Sequence, residues 1–352
     1  MSRLEEFRKT MPKEVDAVLL FDETNQYYFT SYKFTDGIVM ITRDEAYLVT
    51  DFRYYEEATA AVTDFEVVTP PFHWEFVADI FKSKKIKCVG LEDSTISFSL
   101  RKKVVDSVCA SVIDISSYID AMRQIKTKQE IEHIQRSQQI ADMTFDHVVK
   151  MLTLGMTEID VALEIEFFMR KNGAEAIAFD TIAVSGTASA LPHGKPRNVK
   201  LERGFLTMDF GAVYMGYCSD MTRTVSIGKA TKDMHDVYNT VLNAQKIGIA
   251  NIISGAECSK VDSFARNYIN DNGYKGMFGH SLGHGVGMLV HERPNLSPKA
   301  KDIFLKSGNV VTVEPGVYIS GEYGCRIEDM VVVTEEGCEN LTKSTKELIE
   351  IY

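Results

Sequence analysis

The second half of the chain repeats one pattern of helices and turns after an interval of 100 residues, and this repeat restricts the fold more than any other feature. In each copy a glycine precedes a predicted helix, which closes at an Asn-Gly pair: Gly155 with Asn172-Gly173, and Gly255 with Asn272-Gly273. A glycine at this closing position is typical of a helix C-terminus. Duplicated halves often build a site on the axis between them.

The two copies also begin alike. A long amphipathic helix precedes each one, over residues 126–153 and 232–254. Each following helix has a predicted capping box: Thr157 with Asp160, and Ser259 with Asp262. The sequence therefore predicts two halves related by a pseudo-twofold axis.

Each copy continues into a β-hairpin that carries two acids. The outgoing strands span 204–211 and 308–316, and each return strand follows a glycine-containing turn. The acids hold corresponding positions: Asp209 and Asp220 in the first hairpin, Glu314 and Glu328 in the second.

Acids on apolar strands need a cation, because burial of an unpaired carboxylate costs several kcal/mol. Salt bridges to Arg223 and Arg326 are one solution, and for any single acid they are the simpler one. Four acids at matching positions favour bound metal instead. Arg326 shares a strand face with Glu328, so it is expected to hydrogen-bond the ligand carboxylates.

A glycine-rich segment over 279–287 offers the candidate imidazoles His280 and His284. Their spacing matches H-E-x-x-H, but Ser281 replaces the glutamate and the glycines disfavour a helix, which argues against a zincin. The segment also matches a nucleophile elbow, but no acid separates Ser281 from the histidines that follow it. The glycine run lacks the lysine and the capped helix of a phosphate loop.

The first 120 residues alternate short β-rich runs with helical stretches near 53–61, 73–82 and 97–109, which is typical of an α/β domain. The predicted strands are Val15 to Phe21, Ile38 to Thr42, Ala46 to Thr50, Phe65 to Val68, Ile86 to Gly90 and Ser111 to Ile115. A chain of 352 residues also favours two domains. The fold class is α/β (α+β), with an N-terminal α/β domain over 1–122 and a second domain over 123–352.

Composition excludes several kinds of partner. Lys and Arg number 39 against 50 Asp and Glu, giving a net charge of -11 without a long basic run, so neither nucleic acid nor an anionic membrane is expected to bind. The acidic start and the lack of a long apolar run predict a cytoplasmic protein. Six widely spaced cysteines indicate reduced thiols.

Five separated blocks carry a family resemblance. They are Leu191-Pro-His193-Gly-Lys-Pro, Met208-Asp209-Phe-Gly-Ala-x-Tyr-x-Gly-Tyr-Cys-Ser-Asp220-Met-Thr-Arg-Thr, His280-x-x-Gly-His284-Gly-x-Gly-x-x-x-His291-Glu-x-Pro, Val313-Glu314-Pro-Gly and Arg326-Ile-Glu328-Asp. In this order and spacing they resemble the pita-bread metallopeptidases, in the branch of Xaa-Pro aminopeptidases and Xaa-Pro dipeptidases (prolidases). The resemblance is strong from about residue 124 and extends to a creatinase-like N-terminal domain through Thr50-Asp51-x-Arg53-Tyr54.

The resemblance implies a dinuclear metal centre. Its five ligands would be Asp209, Asp220, His284, Glu314 and Glu328, with Asp220 and Glu328 bridging the two divalent ions. Four carboxylates and one imidazole suit Mn²⁺, the first expectation, with Co²⁺, Zn²⁺ or Fe²⁺ as alternatives. The expected catalytic residues are Glu314 as a proton shuttle, His193, His280 and His291 in the substrate site, and Arg326 beside the ligands.

We therefore expect an Xaa-Pro aminopeptidase, acting on peptides with proline in second position. Family dipeptidases place an arginine for the substrate carboxylate directly after the His-Glu-x-Pro block, whereas this chain has Asn295 there and Arg293 two residues earlier. The alternatives are an Xaa-Pro dipeptidase in which Arg293 or an N-terminal residue serves instead, and a non-catalytic peptide-binding pseudoenzyme. Family members are commonly dimers, so a homodimer is expected.

Overall fold

The computed structural model describes residues 2–352 and divides into two compact units, one ending at Arg123 and the other starting at Gln124. The first unit contains one mixed sheet of six strands in the spatial order β4-β3-β2-β1-β5-β6. Strand β1 pairs antiparallel with β2 and parallel with β5. Its elements are α1 (Arg3–Thr10), β1 (Ala17–Leu20), α2 (Glu23–Thr30), β2 (Ile38–Thr42), β3 (Ala46–Val49), α3 (Phe52–Ala61), β4 (Glu66–Val68), α4 (His73–Ser83), β5 (Cys88–Leu91), α5 (Phe98–Val108), β6 (Ser111–Asp114) and α6 (Ser116–Gln124).

All six predicted strands of the first unit are present, with ends within two residues of their predicted positions. The sequence does not predict α1 or α2. Both are short helices whose starts are fixed by side chains: Ser2 and Glu5 form a capping box on α1, and Asp22 caps α2.

The second unit contains two related halves. The first has α7 (Lys128–Met151), α8 (Glu158–Lys171), β7 (Ala176–Ile177), β8 (Ile182–Ser185), β9 (Gly204–Phe210), β10 (Ala212–Tyr214), β11 (Tyr217–Cys218) and β12 (Met221–Ile227). The second has α9 (Lys232–Ala250), α10 (Cys258–Ile269), β13 (Gly283–Gly285), β14 (Glu292–Leu296), β15 (Val310–Val313), β16 (Gly316–Ile319), β17 (Tyr323–Arg326), β18 (Asp329–Val333) and β19 (Cys338–Asn340), followed by β20 (Glu350–Ile351).

Each half pairs its outgoing strand with its return strand. Strand β9 runs antiparallel to β12 within the sheet β20-β12-β9-β8, and β15 runs antiparallel to β18 within β14-β13-β15-β18-β19. A separate hydrophobic core lies under each half, where α7 and α8, or α9 and α10, contact the strands. The repeat thus holds the ends of four acid-bearing strands in corresponding positions.

One of the two predicted capping boxes is wrong. Thr157 and Asp160 form theirs at the start of α8, and the two closing glycines, Gly173 and Gly273, have positive φ values of 103° and 95°. Helix α10, however, begins at Cys258 without a side-chain cap, and Asp262 is buried. The carboxylate of Asp262 instead accepts hydrogen bonds from the Arg266 side chain and from the Leu282 backbone N–H.

Two glycines allow strands to approach closely beside the acids. A Cβ atom on Gly211 would lie 1.8 Å from the carbonyl oxygen of Ser219, and one on Gly283 would lie 1.9 Å from that of Thr312. Neither position accepts a larger residue without backbone movement. Within residues 2–352, no helix combines the length and the apolar composition that would cross a membrane.

Candidate metal centre

The structure gathers all five predicted ligands around one cavity of about 720 Å³. Asp209 lies near the end of β9, Asp220 directly before β12, Glu314 directly after β15, Glu328 directly before β18, and His284 in the middle of β13. The antiparallel pairing of β9 with β12 and of β15 with β18 brings these strand ends together. A cavity of this size suits a small-molecule substrate.

Three of the five offer ligand atoms in a tight group. Atoms of Asp220, His284 and Glu328 all lie within 4.8 Å of one another. His284 Nε2 is 3.5 Å from Asp220 Oδ2 and 3.3 Å from Glu314 Oε1. Each half of the repeat therefore contributes donors to the same point.

The imidazole of His284 presents a lone pair to this group. Its Nδ1 lies 3.1 Å from the carbonyl oxygen of Gly285, which can only accept, so Nδ1 carries the proton. Burial, together with a smaller effect of nearby His291, lowers the pKa of His284 to about 4. A neutral ring nitrogen that faces the oxygens of Asp220 and Glu314 repels them unless a cation or a proton lies between.

The carboxylates are too crowded to ionise together without a cation. Burial, reinforced by the charges of Glu328, Asp209 and Glu314, raises the pKa of Asp220 well above its ordinary value. Burial also raises the pKa of Glu314 to about 8, although Arg326 opposes this shift. The pKa of Glu328 is raised for the same reason, burial first and then neighbouring acids.

Two of the acids each hold one oxygen in place and leave the other without a partner. Arg326 Nη2 donates to Asp209 Oδ2 at 2.6 Å, and Thr222 Oγ1 donates to Glu328 Oε2 at 2.7 Å. The second oxygens, Asp209 Oδ1 and Glu328 Oε1, are buried and make no hydrogen bond. Buried polar atoms are rarely left unsatisfied, and oriented carboxylates with free oxygens are what a metal ion requires. The residues present therefore fit divalent metal.

The salt-bridge alternative accounts for one acid only. Arg326 pairs with Asp209, whereas Arg223 pairs with Asp329, which is not among the predicted ligands. In the part of the chain that the structure describes, no lysine or arginine forms an ion pair with Asp220, Glu314 or Glu328.

The other predicted site residues line the same cavity: His193, His280, His291 and Arg326. His280 Nδ1 lies 2.9 Å from the carbonyl oxygen of Ser281, and its Nε2 lies 2.9 Å from the Tyr318 hydroxyl. Burial lowers the pKa of His280 to about 4 and lowers that of His291 as well. His193 is exposed, on the loop before β9.

Two residues that order the site are absent from the predicted set. Tyr318 accepts a hydrogen bond from Arg326 Nη1 at 2.8 Å and so links Arg326 to His280. Thr222 accepts from Arg326 Nε at 3.0 Å while it donates to Glu328. Strand alternation was an available signal for Thr222, since it shares a face with Asp220.

Comparison with known families accounts for both units. The family described as Metallopeptidase family M24 matches residues 132–335, and the Creatinase/Prolidase N-terminal domain matches residues 3–125.

Alignments with individual relatives cover nearly the whole chain. An Xaa-Pro dipeptidase from Pyrococcus furiosus is 38% identical and aligns over 99% of both chains. Among solved structures, an Xaa-Pro dipeptidase from Bacillus anthracis is 40% identical with a TM-score of 0.95, covering 99% of each chain. An X-Pro aminopeptidase from Thermotoga maritima is 37% identical with a TM-score of 0.93, covering 99% of this chain and 100% of the other.

Proposed function

We propose, from the premise that this chain belongs to metallopeptidase family M24 and joins a creatinase-like N-terminal domain to a pita-bread domain, that it is an Xaa-Pro dipeptidase. The observation that carries the proposal is the cavity on which the carboxylates of Asp209, Asp220, Glu314 and Glu328 and the neutral imidazole of His284 converge. Relatives named Xaa-Pro dipeptidase, 38% and 40% identical, support the dipeptide substrate. These names favour the alternative over the aminopeptidase that the sequence alone predicts.

In this proposal two divalent metal ions, Mn²⁺ first among the candidates, bind to five residues: Asp209, Asp220, His284, Glu314 and Glu328. Asp220 and Glu328 would lie between the ions. When bound, such a pair supplies a nucleophile at neutral pH and polarises the scissile carbonyl.

The remaining residues position the substrate and carry the proton. Glu314, 3.3 Å from His284 Nε2, is proposed to hold the proton that reaches the leaving proline nitrogen. Arg326 fixes Asp209 directly and fixes His280 through Tyr318. His193 and His291 line the cavity, where the His291 ring packs edge-on against His284 with ring centroids 4.3 Å apart, and both are proposed to contact the peptide.

A side-by-side assay of metal-loaded protein tests the proposal. The substrates are Ala-Pro, Ala-Pro-Ala and Ala-Ala-Ala, and kcat/KM is measured for each. We expect Ala-Pro to be cleaved at least about tenfold more efficiently than the tripeptides, because only its proline ends in a free carboxylate. Cleavage of Ala-Pro-Ala with no cleavage of Ala-Pro would overturn the dipeptidase assignment.

An Xaa-Pro aminopeptidase is the second candidate. Asn295 stands where the family's dipeptidases have an arginine, and both Arg293 and Asn295 are exposed and do not line the cavity. The X-Pro aminopeptidase of T. maritima is also similar over the full length. The same assay separates the two candidates, and a pseudoenzyme would cleave none of the substrates.

We further propose that residues 123–352 form the catalytic domain, and that the protein is a cytoplasmic homodimer. No disulfide joins any two cysteines of the described chain, which agrees with a reducing compartment. Light scattering on the metal-loaded protein tests the dimer, with a mass near twice 39.6 kDa expected.

A further inference from the structure

A dipeptidase must neutralise the substrate's terminal carboxylate inside its own cavity. In an Xaa-Pro dipeptide the carboxylate carbon is two bonds from the scissile nitrogen, each of roughly 1.5 Å. The cleaved bond and the terminal charge therefore cannot lie in separate pockets. The carboxylates of the cavity floor are balanced by the proposed metal ions, so the substrate carboxylate still needs a cation of its own in the same cavity.

Two cationic side chains, Lys195 and Arg326, line the cavity within the described chain. Arg326 is already engaged, since its guanidinium donates to Asp209, Tyr318 and Thr222 and is buried. Lys195 is exposed and forms no ion pair with any residue from 2 to 352, including the lining acids Glu166 and Asp180.

The loop that carries Lys195 is held at both ends. Before it, Arg326 Nη1 donates to the carbonyl oxygen of Pro192 at 3.3 Å. After it, Arg197 donates to the buried Glu158 through Nε at 2.9 Å, Nη2 at 2.6 Å and the backbone N–H at 2.9 Å. The backbone of Lys195 is therefore fixed at the edge of the cavity.

The middle of the loop lies along the cavity. Gly194 is buried, where an added Cβ would come within 3.1 Å of Val184, and its N–H donates to the Leu191 carbonyl oxygen at 3.0 Å. Five consecutive residues line the cavity, from Pro192 to Pro196, and Lys195 is the cationic one among them. A lysine here combines a fixed backbone with a flexible four-carbon stem and a compact charge.

We propose that Lys195 binds the terminal carboxylate of the Xaa-Pro dipeptide. The inference rests on the proposed function, and it names the residue that selects a free carboxylate directly after proline. Lys195 takes this role in place of the position occupied by Asn295, which lies outside the cavity. The ligand class is a proline carboxylate, in the substrate and in the proline product.

The test compares a carboxylate with its amide. Wild type, Lys195→Met and Lys195→Arg are loaded with Mn²⁺ and assayed on Ala-Pro and on Ala-Pro-NH₂. We expect wild type to prefer Ala-Pro by about 10- to 100-fold in kcat/KM, as loss of a charged hydrogen bond predicts. Lys195→Met should lose this preference mainly through KM, with activity on the amide unchanged, and Lys195→Arg should retain part of it.

Two matched controls and a binding measurement make the outcome decisive. Lys200→Met removes an exposed lysine that does not line the cavity, and Arg293→Met removes the nearest arginine after His291; both should keep the preference. Calorimetry with L-proline and L-prolinamide should show the same carboxylate preference in wild type and its loss in Lys195→Met, with an unchanged Tm.

Different results would contradict the Lys195 assignment and the dipeptidase proposal. If Ala-Pro is cleaved but Lys195→Met keeps the carboxylate preference, or Arg293→Met loses it, the Lys195 assignment is wrong while the dipeptidase proposal stands. If no Xaa-Pro substrate is cleaved, the proposed function is wrong, and calorimetry still decides whether Lys195 binds a proline carboxylate.

Discussion

Two arginines connect the halves of the second unit, one from each half, and they have different roles. Arg223 of the first half pairs with Asp329 of the second, Nη2 to Oδ1 at 2.8 Å, with side chains 1% and 0% exposed. Arg326 of the second half pairs with Asp209 of the first at 2.6 Å, beside the cavity. One pair is enclosed in the interior, and the other orders the site.

The partners of the two arginines explain the difference. Arg223 otherwise donates to backbone carbonyls of Thr222, Ser344, Thr345 and Glu328, so it fastens strands and the C-terminal segment. Arg326 donates mainly to side chains of the site. A duplicated scaffold has thus placed one arginine in a structural position and the other in a functional one.

Neighbouring acids illustrate the same contrast. Burial raises the pKa of Asp329, but Arg223 and Lys346 outweigh burial and the net shift is downward. Burial also raises the pKa of Glu328, the preceding residue, and there the neighbouring acids add to the rise. The pKa values of these two adjacent buried carboxylates shift in opposite directions, because the Asp329 carboxylate pairs with cationic side chains and, in the described chain, the Glu328 carboxylate does not.

The largest expected effect removes one candidate bridging acid from either half. Asp220→Ala or Glu328→Ala should lower kcat/KM on Ala-Pro by on the order of 10³-fold or more, because each would remove a donor shared by both metal sites. Circular dichroism should show a retained fold, and elemental analysis should show lost metal. Full activity in either variant, or an active wild type without transition metal, would contradict the metal proposal.

Replacement of each arginine by methionine should separate stability from activity. Arg223→Met removes one of the two cations that contact the buried Asp329 and leaves Lys346, so the free energy of unfolding should fall by about 3 kcal/mol or more. Arg326→Met should instead lower kcat/KM by about 10- to 100-fold, because Asp209 loses its orienting donor. Urea titrations and assays on both variants measure this, and the comparison fails if the two variants behave alike.

A smaller expected effect is the pH dependence of the Tm of the metal-free protein. Glu314 has a folded-state pKa of about 8 against an ordinary 4.5, so the folded protein holds an extra proton between these values and loses stability as pH rises. His280 and His284, at about 4 against 6.5, oppose this trend only below 6.5. Tm should therefore fall between pH 6.5 and 8.

Two controls identify the source of that slope. Glu314→Gln should reduce it, because the glutamine does not titrate. Mn²⁺ should abolish it, because a cation replaces the proton among the carboxylates. A metal-free Tm that rises over the same pH interval would show that other groups dominate.

The smallest expected effect concerns the two cysteines nearest the acids, one in each half. Cys218 Sγ donates to the Met288 carbonyl oxygen at 3.4 Å, and burial raises the pKa of Cys325 to about 12, so neither presents a thiolate. Cys218→Ser combined with Cys325→Val should leave metal stoichiometry unchanged. Loss of one metal equivalent would show that the ligand set needs a thiolate.

Sequence periodicity predicted the strands of the first unit well but not its polar helices. Helix α2 buries Asn25 and Gln26, whose amides donate to the Glu92 side chain and to the Leu20 carbonyl. An apolar pattern cannot reveal a helix that is held in the interior by amides. The Ser259 capping box failed for a related reason, since Asp262 has the stronger partner Arg266.

The four candidate acids followed from the repeat, because strand ends in corresponding positions converge whatever the loops do. His284 came from the glycine-rich segment, and the set of five ligands came from the family resemblance. Their role as metal ligands stays a prediction. Sequence could not rank Lys195 above Arg293, since only the folded loops show which of the two lines the cavity. The role of Tyr318 was not predicted, because nothing in the local sequence pattern indicates that its hydroxyl contacts His280 and Arg326.

The two close-packed glycines bear on how this protein could be redesigned. Gly211 and Gly283 lie beside Asp209 and His284, and each has a carbonyl oxygen less than 2 Å from the place of a Cβ atom. A randomised library that includes these positions would yield mostly misfolded clones, whatever substrate was selected for. Substitutions are better placed at exposed His193 and Lys195, which line the cavity on a loop that is anchored at both ends.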